Sequence, residues 1–231
     1  PHARLALPAL PLLAAALLAA LSAPAHAAWT HDPGANLGVC TAGRDQAAPV
    51  SAADGQGGAF VVWVDDRWAD LDVYIGHVTA SGTNDPAWPG GGAPVCIAAG
   101  AQSNPRVIAD GAGGAIVVWE DGRGASRDVY AQRIGPNGQR VAGWPADGVA
   151  VGAQSNDDFA PRLCTIGSGG AYVAWRYDYA YPDIDVMVAR VTASGSVPWV
   201  NFVANSTSRE DDAEIASDGS IGAWVAFDDN A

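Results

Sequence analysis

The chain runs to 231 residues with a formal net charge of −13, 12 basic residues that are all arginine, and 49% hydrophobic positions, nine tryptophans among them. That balance argues against an electrostatic grip on a nucleic-acid backbone or an anionic membrane, while the apolar content is ample for a folded core. An excess of acid is what keeps exported proteins soluble, and by itself it is no binding device.

Residues 1–27 read as a secretory leader: Arg4 gives a positive start, 5–21 an apolar run, and Ala25-His26-Ala27 a small-x-small cleavage site. Pro8, Pro11 and Pro24 interrupt or end a run that is shorter than the roughly 20 apolar residues a spanning helix needs. No cysteine follows the cleavage site directly and no second long apolar run appears, so the expectation is a secreted or cell-surface protein beginning near Ala28, without membrane insertion. Because residue 1 is proline and Ala231 falls inside a repeat, the chain is read as a piece of a longer frame with room for further domains.

One pattern recurs along the rest. It stands at 54–74 as DGQGGAFVVWVDDRWADLDVY, at 110–130 as DGAGGAIVVWEDGRGASRDVY, at 166–187 as IGSGGAYVAWRYDYAYPDIDVM, and at 218–228 as DGSIGAWVAFD. Trp63, Trp119 and Trp175 stand 56 residues apart (119 − 63 and 175 − 119), as do Pro49, Pro105 and Pro161. A fixed period of this size signals a stacked or radial repeat.

Within the first unit the spacing predicts four strands, at 49–53, 59–65, 72–79 and 94–98. The first turn, Asp54-Gly55-Gln56-Gly57-Gly58, needs the positive φ angles that glycine accepts cheaply. In Phe60-Val61-Val62-Trp63-Val64 both alternating faces are apolar, so each sheet must be covered on both sides. Neighbouring four-stranded meanders stacking face to face would do this, which predicts an all-β fold, a β-propeller, ahead of a β-sandwich or a β-solenoid. The blades are placed at 49–102, 105–158 and 161–212, with a further one entered at 213–231. Trp29, Cys40, Gln46 and Pro49 repeat the order of Trp88, Cys96, Gln102 and Pro105, so 28–48 reads as the outer strand of a closing blade. The complete ring is expected to have about six to eight blades, with a four-bladed ring as the alternative.

The unit resembles the tandem propeller repeats of bacterial secreted and surface proteins, approximately DGxGGxxVxWxDxR, then DxYxQR, then GxxxW. The residues that fit are Asp110-Gly111, Gly113-Gly114, Trp119, Asp121, Arg123, Asp128, Tyr130, Gln132, Arg133, Gly138 and Trp144. More distantly, the Asp-Gly turn and following tryptophan are similar to the Asp-box hairpin of sialidase-type propellers, with a longer spacing from Asp54 to Trp63. The resemblance implies a scaffold and carries over no catalytic residue. Ile166 in place of Asp, and Phe227 in place of Trp, mark where the later units depart.

The second-to-third strand loops (65–72, 120–128, 176–185) and the connections between blades (99–104, 152–160, 206–212) are expected to share one face and to vary most. Asp65 or Asp66 with Arg67 and Asp72, and Asp121 with Arg123 and Asp128, recur from unit to unit. They read first as a loop-fixing Arg-carboxylate network, and as the alternative a calcium site at Asp65, Asp66 and Asp72; no other cofactor is implied. His31 and His77 have no Cys or His at zinc-ligand spacing. Cys40 and Cys96 occupy equivalent places in successive units and Cys164 a different strand, so free thiols are expected. Exposed aromatics are sought at Trp68 and at Tyr177, Tyr179 and Tyr181, next to Asp178 and Asp183, where rings beside carboxylates could stack on sugars or anchor a surface protein. Function is therefore expected to be non-catalytic binding or scaffolding of a carbohydrate or protein partner, with a sialidase-like carbohydrate-active hydrolase as the alternative.

Overall fold

The computed structural model describes residues 34–180 and 182–230; the leader, Trp29, His31 and Tyr181 lie outside them. Fourteen strands follow in order: β1 (Gln46–Ala53), β2 (Ala59–Asp65), β3 (Asp72–Val78), β4 (Ala93–Cys96), β5 (Gln102–Ala109), β6 (Ala115–Asp121), β7 (Asp128–Ile134) and β8 (Val149–Gly152) form the first two sheets. Then come β9 (Asp158–Thr165), β10 (Ala171–Ala180), β11 (Asp183–Val191), β12 (Val200–Ala204), β13 (Arg209–Ser217) and β14 (Ala223–Asn230).

Each sheet starts from a hairpin that its own sequence locks. Asp54 Oδ1 accepts the backbone N–H groups of Gln56 (2.7 Å) and Gly58 (2.9 Å), with Gly55 and Gly57 at positive φ. Asp110 makes the same pair to Ala112 and Gly114, and Asp218 to Ser220 and Gly222. This is an Asx turn, in which the carboxylate stands in for backbone acceptors. Ile166 cannot do so, and Thr165 Oγ1 takes the Gly167 N–H instead at 2.9 Å.

Consecutive strands then pair antiparallel, β1-β2-β3-β4, β5-β6-β7-β8 and β9-β10-β11-β12. The β13–β14 hairpin is joined to the third sheet by a single parallel bridge, Ile184 to Arg209. The sheets are covered by one another. One core cluster joins Phe60, Val62, Ile75 and Trp88 of the first unit to Val107, Val117 and Trp119 of the second. Another joins Val118, Ala131 and Trp144 to Val173, Trp175 and Met187. Burial of each such side chain is worth about 1.5–3 kcal/mol, so the blade-to-blade faces hold the array together.

Two details repeat at these faces. The indole N–H of Trp88 donates to Pro136 O in the next unit (2.9 Å), and that of Trp144 to Ala193 O (3.0 Å). The first strand of every unit also carries a bulge at a non-glycine residue of positive φ: Ala48, Asn104, Ala160 and Asp212. These bulges fall at the loop end of the strands, and they lengthen β1, β5 and β9 beyond the expected starts to Gln46, Gln102 and Asp158. Residues Gln46 to Ala48, read above as part of an outer strand, thus belong to the first strand of the first sheet.

Residues 34–45 form no strand. They nevertheless lie on the first unit as β4 lies on the second: Cys40 Sγ approaches Asp65 Oδ2 and Arg67, where Cys96 Sγ approaches Asp121 Oδ2 and Arg123. The three thiols are free.

Candidate functional site

The repeated acid-arginine unit is a clip, and the structure assigns its members differently from the sequence pattern. In the first unit Asp65, fully buried, receives Arg67 Nε (2.8 Å) and Nη2 (2.6 Å) together with the Trp63 indole N–H (2.8 Å). Asp121 receives Arg123 Nε, Arg123 Nη2 and Trp119 Nε1 at 2.8, 2.6 and 2.7 Å. Each guanidinium also stacks over a tyrosine, Tyr74 at 3.9 Å and Tyr130 at 4.0 Å. Burial alone would raise both carboxyls, but the arginine and indole hydrogen bonds hold Asp65 and Asp121 below the usual carboxylate range.

Asp66 stands outside the clip, accepting Asp45 N–H (2.8 Å) and lying 3.6 Å from Arg44. Asp72 and Asp128 make no ion pair with Arg67 or Arg123; Asp128 accepts a bond from Ser126 Oγ at 3.3 Å. The oxygens of Asp65 are taken up by Arg67 and Trp63, so Asp65 offers a cation no free oxygen. No group of three or more acidic, His or Cys residues suited to a metal occurs among the described residues.

The third unit exchanges the clip's parts. Tyr177 occupies the register of Asp65 and Asp121, and Asp158 on the neighbouring strand replaces Gln102, since Tyr177 pairs with Asp158 as Asp121 pairs with Gln102. Asp158 now receives the Trp175 indole N–H at 2.5 Å. Without an arginine, burial and the nearby Asp128 and Asp157 push its carboxyl up to about 6. Here the expectation of an open tyrosine loop at 176–185 is corrected. β10 runs to Ala180 and β11 starts at Asp183, so most of this stretch is strand, and Tyr177 is buried at 7% exposure with its ring edge-on to Phe202. Its place in the strand register, in the core shared with the second sheet alongside Val173 and Trp175, is the reason. Tyr179 is exposed, Asp178 and Asp183 are half-buried, and Tyr181 lies outside the described residues. Arg176 pairs with Asp211 on β13 and serves no tyrosine platform.

Two further groups went unrecognised in the sequence. His77 is held between Asp85 (Nδ1, 2.7 Å) and Asp54 (Nε2, 3.0 Å) and stacks on Phe60, at the place where Arg133 holds Asp110 in the next unit. Asp185 and Glu210 are buried at the start of β11 and β13, each with one carboxyl oxygen lacking a hydrogen-bond partner. Burial, with Asp183 and Glu210 beside it, pushes Asp185 up to about 6.

An accessible aromatic ring stands beside acids at Trp68. Its indole is 65% exposed, with Nε1 donating to Tyr74 Oη at 3.2 Å. It borders a groove of about 360 Å³ formed by the 68–72 loop and the 97–99 connection, with Asp70, Asp72 and Ile97 in its wall. Asp70 is exposed and accepts Gly100 N–H at 3.2 Å. Asp72 is buried, and burial together with the charges of Asp70 and Asp65 pushes it up to about 6. The groove therefore presents a flat apolar ring next to a carboxyl group that keeps its proton to an unusually high pH.

Four-stranded antiparallel sheets that stack face to face, each entered by its own bulged first strand, decide the architecture. The blades are those of a β-propeller. Among solved structures the chain is similar to the endo-arabinase from Bacteroides thetaiotaomicron, with a TM-score of 0.50 and 13% identity over 80% of this chain and 70% of that chain. At that identity the likeness concerns the propeller fold alone. No protein-family model matches the sequence, and no curated protein matches it.

Proposed function

We propose that this propeller is a carbohydrate-active hydrolase, exported by the leader at 1–27, that holds a glycan in the groove at Trp68 and uses Asp72 as the acid. The observation that carries the proposal is the pairing of the exposed Trp68 indole with Asp72, whose carboxyl is pushed up to about 6 by burial and by Asp70. Sugar rings offer C–H faces that stack on indole, and glycoside cleavage needs one carboxylic acid still protonated near neutral pH and a second carboxylate close by, a role Asp70 can fill in the same groove. The endo-arabinase likeness supports this reading over the simple scaffold, since it sets the same architecture beside a protein named for glycan cleavage.

Exposed Leu71 and Ile97 beside Trp68 favour a second reading, a non-catalytic contact with a glycan or a surface protein. The two readings separate on release of sugar from a panel of glycosides, arabinose-containing ones included, by the complete protein. Asp72→Asn should abolish release while binding persists, and the wild-type rate should fall as pH rises through about 6, where the acid loses its proton. Trp68→Ala should weaken glycan binding about fivefold or more, from the loss of about 1 kcal/mol of stacking, without moving the melting temperature. Binding without cleavage would leave the binding module, and binding indifferent to Trp68→Ala would remove the groove from either reading.

A further inference from the structure

The first strands β1, β5, β9 and β13 lie next to one another, and each has the same local design. A bulge residue of positive φ (Ala48, Asn104, Ala160, Asp212) is followed by Pro49, Pro105, Pro161 or Ala213, and then by a residue that is not held constant along the array: Val50, Arg106, Arg162, Glu214. The strand register confirms the equivalence, because these four pair with Val62, Val118, Ala174 and Ala226 immediately beyond the bulge. A feature kept from unit to unit serves the blade. A position released from that repetition, on strands of the same register, is free to serve a ligand.

Arg106 and Arg162 stand side by side there. Each is anchored by Nη1 to the carbonyl of its own preceding proline, Arg106 at 2.8 Å and Arg162 at 3.1 Å, so both side chains are fixed in advance. Arg162 Nε also meets Glu214 Oε1 at 2.7 Å. Arg106 meets no carboxylate. Of the half-buried arginines among the described residues, Arg67, Arg123, Arg133, Arg162, Arg176 and Arg209 each have a carboxylate partner, and Arg106 alone has none.

The closest candidate partner, Glu120, is already taken: Oε1 accepts Asn104 Nδ2 and Ala160 N–H, both at 2.8 Å, and Oε2 faces Ser103 and Arg127. Burial and the charge of Arg162 both press against the ionised form of Arg106. In a chain with 25 acidic residues and 12 arginines, a half-desolvated guanidinium set beside a second one is a costly arrangement with no structural return.

We infer that Arg106 and Arg162 form a receptor for the carboxylate of an acidic, uronate-type sugar, with the free edge of Arg106 making the bidentate contact. The planar guanidinium fork matches a carboxylate. Glu120 and Glu214 flank the pair and would repel a dianion, which disfavours phosphate. This goes beyond the proposed function by adding a substrate class and a sugar contact that is not among the residues of the Trp68 groove, and it rests on that reading's assignment of a glycan ligand.

The test is calorimetric titration of the complete protein with a galacturonate oligomer, with the neutral galactose oligomer of the same length, and with inorganic phosphate. The expected result is uronate binding at least about tenfold tighter than the neutral oligomer, as hydrogen bonds to a charged group imply, an advantage reduced by added salt. Arg106→Gln should remove that advantage and Arg106→Lys should restore part of it, with melting temperatures showing that both variants fold. Equal binding of the two oligomers, an Arg106→Gln variant that keeps the preference, or phosphate competing as well as uronate would overturn the inference while leaving the glycan reading in place. Failure of every oligomer to bind would overturn the inference, while the glycan reading is decided separately by the glycoside panel and the Trp68→Ala variant.

Discussion

Replacing Arg123 with alanine tests whether the acid-arginine clip stabilises a blade by neutralising a carboxylate that the fold has buried. Asp121 is fully buried and has two bonds from the Arg123 side chain, one from Trp119 Nε1 and one from Arg123 N–H at 3.0 Å. In the variant the last two remain, with the weak Cys96 Sγ contact to Oδ2, and the cation is gone. Breaking a buried pair costs about 3–5 kcal/mol; because the arginine is itself a quarter exposed, the lower end applies, about 3 kcal/mol.

The sign of its pH dependence is the sharper test. In the wild type Asp121 lies below its ordinary value, so its contribution is present above the unfolded value near 3.8 and is lost only as pH falls through the lower folded value. Without arginine, burial should set Asp121 above its ordinary range, as it sets Asp158 in the third unit, and stability should then fall as pH rises through about 6. Urea unfolding followed by tryptophan fluorescence should therefore show a small deficit at about pH 4.5 and the full one at about pH 7.5. A loss under about 1 kcal/mol, or one of equal size at both pH values, would refute the clip as described.

The third unit supplies a natural counterpart. Asp158→Asn keeps an acceptor for Trp175 and removes the charge, so it should stabilise the protein above about pH 6 and leave it unchanged near pH 4, because a raised carboxyl stabilises most below its unfolded value and less as pH rises through the folded one. Gly138→Ala should cost more than Gly143→Ala in the same unfolding assay. Both glycines have positive φ (71° and 93°), which costs about 1 kcal/mol for alanine, but a Cβ at Gly138 would lie 2.8 Å from Pro89 Cδ and 3.1 Å from Trp88, whereas Gly143 faces open space. Equal costs would mean that the Trp88 contact between blades yields freely.

The spacing of tryptophans, prolines and Asp-Gly turns was enough to place the strands of the first unit close to their observed ends, because hairpin turns and alternating apolar residues are set by nearby sequence. The need for sheets to cover one another was legible for the same reason: Val62, Trp63 and Val64 have apolar neighbours on both faces of β2. Which acid answers which arginine was not. Asp65 and Asp66 are adjacent in sequence and point to opposite faces of an extended chain, so only the paired strand decides that Asp65 enters the clip.

The exchange of Asp121 and Gln102 for Tyr177 and Asp158 spans two strands 19 residues apart in each unit (121 − 102 and 177 − 158), and it becomes visible as one substitution only when those strands lie side by side. The same holds for Tyr177, whose alternation with Tyr179 suggested a common exposed side until β10 continued through it and its ring joined the core between the second and third sheets, edge-on to Phe202 of β12. Local chemistry writes the turns and the period of this chain. Burial, partner and charge state of each carboxylate are set by residues from the adjoining strand and the adjoining blade, and these meet only in three dimensions.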